Sequence, residues 1–165
     1  MDAPHEPQAR TTWGHSDAWP TAKQRTGVQH AVRRLLDALA PEVPPPRFAD
    51  ARGDVQRVRS PRGCILQGEA CAVTVSWFPG GPTDVALGEL QVIAWSGTVS
   101  RPGAARRTSG GGARPVAETL LSPVESPGEA WAWRAADGTV LDMGALVARC
   151  LDVVTHPVSP APATA

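Results

Sequence analysis

Apolar side chains recur at Val28, Ala31, Val32, Leu35, Leu36 and Leu39, three and four positions apart. That spacing gathers them on one stripe of a helix over residues 21–40 and leaves Gln29, His30, Arg33, Arg34 and Asp37 outside it. Thr21 or Thr26 supplies the N-cap, and Gly27, inside the pattern, marks an alternative start. Pro41 ends the helix because it lacks an N–H and restricts Ala40 before it. A second stripe, Met143, Leu146, Val147, Cys150, Leu151 and Val154, predicts a helix from Met143 to about Val154, with Asp142 as its N-cap.

Between these helices the period changes to two. Val73, Val75 and Trp77 alternate with Thr74 and Ser76, which reads as a half-buried strand over 72–78. Val55 to Arg59 is a weaker strand, and Cys64-Ile65-Leu66 a short apolar one. Residues 89–99 hold the run Leu90-Gln91-Val92-Ile93-Ala94-Trp95, apolar on both faces, as expected of a central strand covered on part of both sides. Pro115 to Leu121 alternates as another strand, closed by Pro123 and Pro127-Gly128. Trp131 and Trp133 share one face of the next, and Asp137-Gly138 is a hairpin-type turn before an extended Thr139–Leu141.

Short turns between successive strands imply antiparallel pairing. The expected fold is therefore α+β: an antiparallel sheet of about five to six strands with an N-terminal and a C-terminal amphipathic helix on one face, a two-layer sandwich. Residues 21–155 are expected to form the domain, residues 1–20 a flexible arm and residues 156–165 a disordered tail. Leu, Ile, Val and Phe make up only 32 of 165 residues, but the formal net charge is zero, so this composition predicts a compact core and not a disordered chain.

No apolar run approaches the roughly 18 residues that cross a bilayer, and the first 20 residues carry no signal-type apolar region, so no membrane partner is expected. Three cysteines, an odd number, fit a reducing compartment and a cytoplasmic location. Cys64 and Cys71 fall on neighbouring strands, which leaves a disulfide between them open. No Cys or His spacing matches a metal site, and no cofactor motif occurs.

Catalytic chemistry finds little support. His5, His15 and His156 lie in the expected tails, His30 lies on a polar helix face, and no nucleophile elbow occurs. The run Ser109 to Arg114 is glycine-rich but lacks the strand-to-helix context of a phosphate cradle. Glu89 and Glu118 are strand carboxylates whose solvent-facing placement is the stronger expectation. Arg101, Arg106, Arg107 and Arg114 have no acid between residues 90 and 117 to offset them and are candidate anion contacts. A near-neutral isoelectric point of 6.9, and the lack of Tyr or Phe among these arginines, disfavour nucleic acid.

The expectation is a small binding domain that engages another protein. The alternative is a small-molecule site or enzyme with a cleft between sheet and helices, lined by Trp95, Trp131 or Trp133 with Glu118; a second alternative is weak nucleic-acid binding through residues 101–114.

Overall fold

A computed structural model describes residues 19–41, 55–81, 86–99, 112–127 and 130–156. The expected arm, tail and arginine loop fall largely outside these residues, as do Arg101, Arg106 and Arg107. The first helix, α1 (Ala22–Leu39), opens with a capping box: the Thr21 hydroxyl accepts from the Gln24 N–H at 3.2 Å, and Gln24 Oε1 accepts from the Thr21 N–H at 2.9 Å. This settles the start at Thr21 and puts Gly27 inside the helix. The stripe is buried as its period requires, at Val28, Val32, Leu35, Leu36 and Leu39.

Seven strands follow: β1 (Gln56–Ser60), β2 (Gly63–Gln67), β3 (Cys71–Pro79), β4 (Gly88–Ser96), β5 (Arg114–Ser126), β6 (Ala130–Ala135) and β7 (Val140–Leu141). They pair in sequence order as one antiparallel sheet. The helix α2 (Met143–Thr155) closes the chain order, and Asp142 Oδ1 accepts from the Ala145 N–H at 2.7 Å as its cap. The class and layers agree with expectation, while the strand count exceeds the expected five to six. The weakly patterned β1 is a full partner of β2, and β7 has only two residues, too few to show a period.

β5 also runs past Pro123, where the alternation ends. Its register with β4 stops at Leu121, so at Pro123 it has a neighbour on one side only, β6. A residue without an N–H is tolerated at such a half-edge.

Both helices lie on one face. That face collects Cys64, Leu66, Val73, Val75, Trp77, Leu90, Leu121 and Trp133, which join the buried α1 stripe and Leu146, Cys150 and Val154 of α2 in one core. Trp77 and Trp133 meet edge to face, with ring centroids 6.0 Å apart at 75°. Gly88 permits this packing: its φ is +135°, and a Cβ there would lie 2.5 Å from the Trp77 ring. The other face of the sheet has no covering element among the described residues. On that face Gln91, Ile93 and Trp95 of β4 are half-buried.

α2 packs on β2 and β3 at one side and on β6 and β7 at the other. Four strand spacings amount to roughly 19 Å, and thirteen helical residues to about the same length. The helix therefore bridges the sheet like a chord. An apolar gap of about 70 Å³ remains under it, lined by the small side chains Ala94, Ala117 and Thr119 of β4 and β5 and by Leu146, Cys150 and Val153 of α2.

Candidate functional site

The register decides which candidate residues meet. Along one row of the open face stand Val58, Ile65, Thr74, Ile93 and Glu118; along the next stand Ser60, Gly63, Ser76, Gln91 and Leu120. Trp95 lies on the same face, paired with Ala72, and its indole N–H donates to Thr74 Oγ1 at 2.9 Å. Glu118 is exposed and accepts from Gln91 Nε2 at 2.6 Å. Trp131 and Trp133 belong to the helix-covered face, with Trp133 in the core at 1% exposure. The sheet thus separates Trp95 and Glu118 from Trp131 and Trp133, and no single cleft holds all four. Arg114 starts β5 and is exposed.

The open face is concave over β1 to β4. A depression of about 460 Å³ is lined by Val58, Ile65, Thr74, Ser76, Gln91, Ile93 and Trp95. Farther along the same face stand Phe78 and Val140, 54% and 51% exposed, with Leu120 at 43%. These are three of the five large apolar side chains most exposed among the described residues. The polar members are an amide and carboxylate pair, Gln91 and Glu118, with Glu89 and Arg134 outward from it.

A separate cleft of about 480 Å³ lies between α1, β6 and the start of α2. Gly27, His30, Ala31 and Arg34 form its α1 wall, Trp131 and Trp133 its β6 wall, and Asp142, Met143 and Gly144 its end. Sequence reasoning placed Trp131 in a cleft but gave His30 and Arg34 only a solvated helix face. The signal was Gly27, which shares their three- and four-residue spacing.

The three thiols are free and buried. Cys64 and Cys71 are not opposed: Cys64 pairs with Val75, four residues along β3 from Cys71. That separates them by roughly 13 Å, beyond the reach of a disulfide. Burial pushes the Cys64 thiol up to about 11, against the pull of Arg59 and Arg57. Burial, with the neighbouring Cys64, pushes Cys150 up to about 12. Such thiols are protonated near neutrality and are poor nucleophiles. Cys71 is also raised by burial, and its Sγ lies 3.2 Å from the Val153 carbonyl and 3.3 Å from that of Val154, tying β3 to the end of α2. Among the described residues no three His, Cys, Asp or Glu side chains gather as a metal would need, and no helix is long and apolar enough to cross a membrane.

Compared with family models, curated proteins and solved structures, the chain matches none.

Proposed function

We propose that this domain binds another protein through the open face of its sheet. The observation that carries the reading is the apolar group of Ile65, Ile93 and Trp95 on the face that no element covers among the described residues, bordered by exposed Phe78 and Leu120. An apolar sheet face without a covering layer is where a partner gains most by excluding water.

Size sets the class of complex. Five strands are roughly 24 Å wide and five residues roughly 17 Å long, a projected area near 400 Å². That suits the centre of an ordinary interface of about 800 Å² per partner and falls short of an obligate dimer. Among the described residues the acids on this face, Glu89 and Glu118, outnumber its one base, Arg134. A partner presenting apolar side chains edged by Lys or Arg therefore complements it. Three free cysteines support a reducing, cytoplasmic setting. For nucleic-acid binding through the arginines, Arg114 stands exposed at the start of β5, and Arg101, Arg106 and Arg107 lie outside the described residues.

The test is a photo-reactive phenylalanine analogue at position 93, with the same analogue at Ala136 as control, in the source cells. One partner should be trapped from position 93 and not from 136. Ile93→Glu should then weaken that purified complex at least about tenfold, the loss expected at a buried contact. Equal trapping at both positions, or undiminished affinity of Ile93→Glu, refutes the reading.

A further inference from the structure

The cleft between α1, β6 and the start of α2 lies on the opposite side of the sheet from the open face, so its case stands apart from protein docking. We propose that it binds a small flat molecule carrying a single anionic group, of the aromatic monocarboxylate class.

Gly27 is the first observation. Inside a helix, glycine is destabilising relative to alanine. Here a Cβ would lie 2.9 Å from Trp131 Nε1 and 3.4 Å from Cε2 and Cζ2. The helix gives up stability so that the indole edge can lie against it. Trp131 is half-buried in the cleft wall, and its N–H, a donor only, has no hydrogen-bond partner among the described residues.

Two basic side chains are the second observation. His30 and Arg34 follow Gly27 at helical spacing and line the same wall. Neither has an ion pair or hydrogen bond among the described residues. A guanidinium offers a planar pair of N–H groups that matches a carboxylate. A flat ring against Trp131 and Met143, with its carboxylate at Arg34 and His30, uses the apolar wall and both basic side chains of the cleft.

Asp142 limits the charge. Its Oδ1 already accepts the Ala145 N–H at 2.7 Å, so the helix end is capped from within and is not the anion site. Its carboxylate also lines the cleft, which repels polyanions such as di- and triphosphates and leaves room for one negative charge. At about 480 Å³ the cleft lies within the range of small-molecule pockets.

The experiment titrates the ¹⁵N-labelled full chain with 2-naphthoate, its methyl ester and acetate. 2-Naphthoate should bind with Kd near 1 mM or below, shifting the Trp131 indole and the Gly27 and Gly144 amides. The ester and acetate should bind at least about tenfold more weakly, since each lacks one of the two recognised features. Arg34→Ala should lose at least about tenfold in affinity. Arg34 is exposed, so its thermal unfolding should match the parent; Arg34→Gln is the second variant should Ala disturb the helix. Arg149→Ala, on the far side of α2, should bind as the parent does. No saturable shift up to about 5 mM, equal binding of the ester, undiminished binding by both Arg34 variants, or shifts confined to the open face or to the gap under α2 would each overturn the proposal.

Discussion

Leu146→Ala tests the packing that fixes every surface described above. Leu146 is 2% exposed and joins α2 to the core beside Cys150 and Val154. Truncation removes three carbons, worth about 2.4 kcal/mol at roughly 0.8 kcal/mol each. The cavity adds to this. Leu146 already borders the 70 Å³ gap under α2, where Ala94 and Ala117 are too short to move in. A residual void of about 50 Å³ would add roughly 1.2 kcal/mol. The expected loss is therefore about 3.6 kcal/mol. In urea the midpoint should fall with m unchanged, and Tm should drop by roughly 10–20 °C. Val147→Ala, one residue on and only half-buried, should cost less. A Leu146→Ala loss under about 0.5 kcal/mol, the range of surface changes, would show that α2 does not pack on this face.

Alkali should destabilise the fold. The Cys64 and Cys150 thiols are raised to about 11 and 12, so the folded state keeps protons that the unfolded chain releases above pH about 9. Stability is then fully present below pH 9 and falls as pH rises, by up to about 1.4 kcal/mol per unit for each thiol; a urea midpoint that stays level from pH 8.5 to 10.5 contradicts this, and Cys150→Ala should flatten the decline. Asp142→Ala removes the cap bond to Ala145 and should cost about 1 kcal/mol in urea unfolding, with Asp142→Asn close to the parent. Gly88→Ala places a Cβ at φ +135° and 2.5 Å from the Trp77 ring, so it should lose roughly 2–4 kcal/mol; an unchanged Tm would mean that β4 starts differently.

What could be read from the sequence was whatever repeats within one element. Both helices were legible because an apolar stripe needs only its own period, and Asp142 and Thr21 mark their starts without reference to the rest of the chain. β3 was legible for the same reason, with Val73, Val75 and Trp77 inward and Thr74 and Ser76 outward. The grouping of candidate residues was not, because it depends on relations between strands. Parity along β6 puts Trp131 with Trp133, but which face of β4 and β5 they share depends on registers that no single strand encodes. A slip of one residue exchanges the faces; here Leu121 pairs with both Leu90 and Ala135 on the covered face, while Glu118 pairs with Ile93 on the open one. Glu118 and Trp95 therefore fall on the far side from Trp131. Gly27 was visible as an irregularity, but its reason, the Trp131 indole against α1, joins residues more than a hundred positions apart.

The two edges of the sheet determine how a partner can approach it. At one edge β1 carries Arg57 and Arg59, the latter 3.2 Å from Asp37 of α1; at the other β7 has only two residues. Charges on one edge and brevity on the other both disfavour pairing with an added strand. A partner must then meet side chains on the face and not backbone at an edge. The chain has two isoleucines, Ile65 and Ile93, and both stand in one row of the open face with Thr74 between them. Labelling isoleucine δ1 methyl groups therefore gives two signals, each reporting that row. Once the partner trapped at position 93 is in hand, its addition should shift both methyls while the β1 amides keep their exchange rates. Protection of the β1 amides with both methyls unmoved would mean strand addition at the edge, and would remove the face from the mechanism.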